Sequence, residues 1–178
     1  MLNPGEIRLN RMTDTAWYEE YADVPASGRR IRRVFQILKA PSDFWLIIRV
    51  SSWALILPVL KRIIPLKPLV RLLWSSSGRL RNHKQELKIA KIVQWIYVFA
   101  YSKEKSCLQR SLLLYRFLSM NNSEPQLITG MKQDARKNWK GHAWVLVDGK
   151  PFGDFEANAA EFQPLVTFEK GGTVRKLT

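Results

Sequence analysis

A change of period near Pro125 does most to limit what this chain can fold into. Upstream of it, apolar residues recur every three or four positions. Leu87, Ala90, Val93, Tyr97 and Ala100 form one stripe, widened by Ile89, Ile92 and Ile96, which predicts a mostly buried helix over about 84–101. Leu108, Leu112, Tyr115 and Leu118 form a second, widened by Leu113, Leu114 and Phe117 and closed by Asn121-Asn122 and Pro125. Downstream the apolar runs shorten to strand length, over about Gln126–Met131 and His142–Val147, with the basic loop Lys132–Lys140 between them. Asp148-Gly149 is a hairpin-turn dipeptide and predicts a third strand over about Pro151–Glu156. The tail from Phe162 to Val174 offers a further edge strand. N-terminal helices followed by a small antiparallel sheet make the fold class α+β.

The stretch 44–74 reads FWLIIRVSSWALILPVLKRIIPLKPLVRLLW and carries five bases and no acid. Its apolar run from Phe44 to Leu60 is 17 residues long and is interrupted by Arg49 and Pro58. A membrane-spanning helix wants roughly 20 apolar residues, and a central arginine costs about 2.5–3.5 kcal/mol on insertion. The stretch therefore reads as two helices broken near Pro58 and Pro65 and packed on the core. A basic amphipathic surface for a partner or for peripheral membrane contact is the other reading. Ser75-Ser-Ser-Gly78 is a clear break, so residues 1–75 form an N-terminal, helical, basic, leucine-rich extension and 76–178 the core domain. Residues 1–34 are polar, with room for a short helix over Trp17–Tyr21. The 29 Lys and Arg against 15 Asp and Glu give a formal charge of +14, which favours anionic partners. No helix-turn-helix or RNP pattern accompanies the charge, so nucleic acid is not expected.

One cysteine excludes an internal disulfide and a zinc site built from cysteines, and it suits a reducing compartment. The N-terminus lacks the basic-then-apolar pattern of a secretory signal, so a cytoplasmic location is expected. Ser106-Cys-Leu-Gln109 is a capping box, which puts Cys107 at the first position of the second helix. Unsatisfied N–H groups and the helix dipole favour a thiolate there and can also hold an oxyanion. His83 lies among basic residues and reads as solvated surface. His142 lies in Gly141-His-Ala-Trp-Val-Leu-Val147, apolar on both faces, and reads either as a packed core histidine or as a base held against the cysteine helix. Asp148, Asp154 and Glu156 are the candidates to orient it. Asp148 belongs to the turn. A two-residue loop at 148–149 pairs His142 with Phe155 and turns Asp154 to the other face; a three-residue loop pairs His142 with Glu156 and brings Asp154 diagonal to it on the same face. A bulge at Gly153 would change the parity again.

Three segments carry a more specific signal: Ser106-Cys-Leu-Gln-Arg-Ser-Leu-Leu-Leu-Tyr-Arg-Phe-Leu118, Gly141-His-Ala-Trp-Val-Leu-Val-Asp-Gly149 and Phe152-Gly-Asp154. Together they resemble the lasso-peptide B2 maturation proteases of the transglutaminase-like superfamily, over about residues 85–168, and Phe162-Gln-Pro-Leu165 resembles that family's tail. The resemblance implies a transglutaminase- or papain-like core and a catalytic triad of Cys107, His142 and Asp154, the acid lying twelve residues past the histidine. It implies hydrolytic removal of the leader from a ribosomally made lasso precursor, with no metal and no cofactor. It also implies a separate leader-recognition protein (B1, PqqD-like), since residues 1–40 look too short to be one, and an ATP-dependent cyclase acting on the freed amine. The stretch 44–74 is a candidate surface for docking that partner. Two rivals remain: an acyltransferase in which an amine resolves the thioester, and a basic scaffold that binds leader or membrane with Cys107 merely packed.

Overall fold

Four helices precede a five-stranded antiparallel sheet among the described residues. The helices are α1 (Pro41–Ile63), α2 (Leu66–Leu73), α3 (His83–Ala100) and α4 (Cys107–Met120). The strands are β1 (Gln126–Gln133), β2 (Trp139–Val147), β3 (Lys150–Phe152), β4 (Gln163–Phe168) and β5 (Val174–Lys176), in the order β3-β2-β1-β4-β5. The structure is a computed structural model and describes residues 41–78, 80–100, 107–135, 137–153 and 159–176. The chain divides into two compact units, Met1–Lys39 and Ala40–Thr178, and every described residue belongs to the second. The expected helix over Trp17–Tyr21 lies outside the described residues.

The α+β architecture follows from the period change at Pro125. Both helical stripes become buried faces: Ile89, Val93 and Tyr97 of α3 and Leu112, Leu113 and Leu118 of α4 are all buried, and the two helices pack together. Leu127 of β1 and Val145 of β2 stand opposite one another in register, and both are fully buried. At the other side of α4, Tyr115 donates its hydroxyl to the Glu169 carbonyl at 2.7 Å and packs on Trp74, so the helix also holds the C-terminal strands.

Three details differ from the sequence reading. α1 runs unbroken through Pro58, and the chain breaks only at Pro65. A proline inside a helix costs about 3 kcal/mol, yet the helix continues through it with Val50, Ala54 and Leu57 buried on its inner face. Pro65 is instead the N-cap of α2, where a missing N–H is no loss. The tail is not one edge strand. It folds back through Gly171 and Gly172, both at φ 69, so that β4 lies between β1 and β5 and β5 is the edge. β3 spans only Lys150–Phe152, and Val147 pairs with Lys150 across a two-residue turn. Asp148 and Gly149 both take positive φ there, as a type I′ hairpin requires.

One ionic junction fixes the start of α3 to this hairpin. Arg81 Nε lies 2.6 Å from Glu86 Oε1, and its Nη2 lies 2.6 Å from Asp148 Oδ2 at the hairpin tip. The Glu86 side chain is almost wholly buried, whereas that of Asp148 is exposed. Burial alone would raise the Glu86 carboxyl, but Arg81, with Ser123 and His83, holds it below its ordinary value. Arg81→Ala is expected to cost about 3 kcal/mol at neutral pH, because a buried carboxylate loses its counterion. Asp148→Ala should cost under about 1 kcal/mol, as exposed pairs do. Urea denaturation of the two variants checks this ordering. In the wild type the Glu86 contribution is present above the ordinary carboxylate range and disappears as pH falls through the depressed value.

Candidate active site

Cys107 is the first residue of α4, where the capping pattern put it; the cap residue Ser106 lies outside the described residues. The start of α4 lies against β2 at Ala143. Ser111, one turn beyond Cys107, donates its buried hydroxyl to the Ala143 carbonyl at 2.8 Å. The Ala143 N–H is directed at the Cys107 sulfur. Ala143 thus gives both of its backbone groups to α4. β3 pairs only with Val145, Leu146 and Val147, so it leaves this part of β2 uncovered on the side that α4 approaches.

His142 precedes Ala143, and its imidazole hydrogen-bonds the Cys107 thiol. That contact holds the thiol below its ordinary pKa range. Partial burial opposes the shift, and the N–H groups of Ala143 and Leu108 reinforce it. The imidazole also packs against two aromatic rings. It stacks on Trp144 at 5.8 Å between centroids and lies 4.8 Å from Phe162. Trp144 is buried in a small cluster with Ile128 and Ala159. The reading of His142 as a base against the cysteine helix and the reading of a packed histidine therefore meet in one side chain, half-buried and in contact with the thiol.

The other sequence candidates are elsewhere. His83 is a surface residue whose Nδ1 lies 3.1 Å from Glu86, and its side chain is 75% exposed. Asp148 is engaged by Arg81 at the far end of the hairpin, six residues or roughly 20 Å along the strand from His142. Asp154 and Glu156 both lie outside the described residues. The register does bear on the parity argument. The turn is the two-residue one, which on strict alternation turns Asp154 away from His142. Alternation ends before it reaches Asp154, however, because β3 stops at Phe152 and Gly153 adopts φ 72. Gly153 is also held close, since a Cβ there would lie 2.9 Å from Leu114 of α4.

Sequence reasoning missed two residues that shape the site. Gly130 stands opposite His142 in the β1–β2 register. A Cβ at Gly130 would come within 2.6 Å of the Gln163 carbonyl oxygen and 2.9 Å of the Trp144 ring, so only glycine lets Trp144 lie under the imidazole. A lone glycine inside a strand is the signal for such a close approach. Ser111 gives no comparable signal, because a serine in a leucine-rich helix reads as an ordinary polar break. Beyond the imidazole, Lys132 pairs with Glu161 and places its ammonium 4.7 Å over the Phe162 ring. Trp139 is exposed at the far end of β2.

A family model described as the transglutaminase-like superfamily matches residues 53–167, from within α1 to within β4. The chain belongs to the transglutaminase-like superfamily. This is the family with which the lasso-peptide B2 proteins are associated, and membership supports a transglutaminase-like, protease-related role. No curated protein and no solved structure matches the chain. The matched span of this transglutaminase-like protein includes Cys107, His142 and Asp154.

Two outcomes follow from the contacts around the sulfur. The pH at which iodoacetamide alkylates Cys107 at half its maximal rate should lie below the ordinary thiol value of about 8.5. His142→Ala should move it upward; an unchanged profile would mean that the imidazole does not govern the thiol. Gly130→Ala, by displacing Trp144 from beneath the ring, should shift it in the same direction. Ser111→Ala leaves the buried Ala143 carbonyl without its hydroxyl donor, at an expected cost of about 1–3 kcal/mol. Thermal denaturation with calorimetry checks the second.

Proposed function

We propose that this chain is a cysteine peptidase that removes the leader from a ribosomally synthesised lasso precursor. The hydrogen-bonded Cys107–His142 pair at the start of α4 is the observation that carries the reading. Cys107 Sγ attacks the carbonyl carbon of the leader–core bond while His142 accepts the thiol proton. Free N–H groups at the start of a helix are suited to hold the tetrahedral oxyanion, and those of α4 are proposed to do so. The intermediate collapses as His142 donates the proton to the leaving amine, which releases the core peptide. Water, deprotonated by His142, then hydrolyses the thioester and frees the leader carboxylate. Asp154 is proposed to hold the imidazole tautomer, on the strength of the family resemblance in Phe152-Gly-Asp154. The chemistry needs no metal or cofactor. A separate leader-recognition protein presents the precursor, an ATP-dependent cyclase consumes the freed amine, and all three work in the cytoplasm.

The acyltransferase alternative uses the same pair and differs only in what resolves the thioester. A scaffold role for a packed cysteine is disfavoured by the depressed thiol and its imidazole partner. Incubation with a precursor and its leader-binding protein, read by mass spectrometry, tests the proposal. Wild-type protein should yield two peptides whose masses sum to the precursor plus one water, and Cys107→Ala should yield none. Asp154→Asn should retain a residual rate, reduced by about 10⁴-fold if the acid sets the tautomer as in other triads. Cleavage that persists in Cys107→Ala, or a product joined to an amine, would overturn the peptidase reading.

A further inference from the structure

α1 is apolar on all sides, a pattern suited to a helix covered all round. The described residues cover only one side. Val50, Ala54 and Leu57 are buried, while Trp45, Ile48, Leu55, Ile56, Val59 and Ile63 are exposed, Leu55 and Ile63 by 72% and 73%. These positions recur at helical spacing and form one stripe, about 27 Å long at 1.5 Å per residue. By length and hydropathy, Asp43–Ile63 could cross a bilayer, but its inner face is committed to the protein. The Arg116 guanidinium stacks 3.7 Å above Trp53, Arg49 donates to Met120 Sδ, and Lys88 pairs with Asp43 at 2.6 Å. A helix held in this way lies along a surface rather than through it.

Charge identifies the surface. Lys61, Arg62, Lys67 and Arg71 are all exposed around the C-terminal end of the stripe, and 44–74 has no acid. Arg49 and Arg116 are half-buried near each other, and among the described residues neither pairs with a carboxylate. A second copy brings no acid from 44–74 to meet these bases. A bilayer that contains anionic lipid offers acyl chains to the stripe and phosphates to the bases together. We propose that the outer face of α1, with the exposed bases of α1 and α2, docks the chain flat on an anionic phospholipid bilayer.

The test is co-sedimentation of the full chain with vesicles of phosphatidylcholine alone or mixed with phosphatidylglycerol. Binding is expected to the mixed vesicles, weakened by salt, with Trp45 contributing a blue shift in emission. Leu55→Asp with Val59→Asp, both on the exposed stripe, should lower partitioning by about tenfold or more at an unchanged melting temperature. Lys61→Glu with Arg62→Glu should remove the preference for phosphatidylglycerol. Three results would overturn the proposal. One is no binding to the mixed vesicles, or binding unaffected by the aspartates. Another is a solution dimer that the aspartates convert to monomer, which assigns the face to a second copy. The third is loss of leader cleavage in lipid-free solution without vesicle binding, which assigns it to a protein partner.

Discussion

Ala143 is a single residue in the middle of a strand, and both of its backbone groups serve α4. Its carbonyl accepts the Ser111 hydroxyl and its N–H meets the Cys107 sulfur. A strand interior normally has neighbours on both sides. Here β3 is too short to cover β2 beyond Val145, and α4 takes the vacated side. The shortness of β3, set by the two-residue turn and by Gly153, is therefore what allows a helix start to meet a strand edge. Cys107 and His142 come together because one opens that helix and the other precedes Ala143.

Much of this was legible in the residues. The stripes of α3 and α4, the hairpin at Asp148-Gly149 and the position of Cys107 at a helix start all follow from local patterns that burial rewards. The failures are of one kind. Pro58 is a local signal to stop, but burial of Val50, Ala54 and Leu57 along the inner face of the helix outweighs it. The tail reads as one strand because Gly171 and Gly172 announce a turn only if the chain has something to return to, and that something is the outer edge of β4. Ser111 was invisible because its partner is a main-chain carbonyl 32 residues away. Parity was sound as far as it went. It left the two-residue and three-residue loops open; the pairing of Val147 with Lys150 is the two-residue one, and Gly153, just past the end of β3, takes positive φ.

The aromatic seat of His142 depends on an absence. Without a side chain at Gly130, Trp144 can stack on the imidazole, and Phe162 packs against the same ring. The ring is fixed by packing on the flanks adjoining these residues and by the thiol at one edge. The family's triad geometry would add a carboxylate to this seat. The chain arrives at Asp154 immediately after Gly153, and the absence of a Cβ lets Gly153 press against Leu114 of the same helix that bears Cys107.

Cys107 is also the only cysteine among 178 residues. A thiol poised toward thiolate reacts readily with peroxide, and the first product is a sulfenic acid. Many such sulfenates are rescued by a second cysteine in the same chain, which condenses to a disulfide. These 178 residues have none to offer. Return to the thiol must come from a small thiol or another protein in its surroundings, so the redox state of the compartment acts directly on the site, with no internal buffer between them.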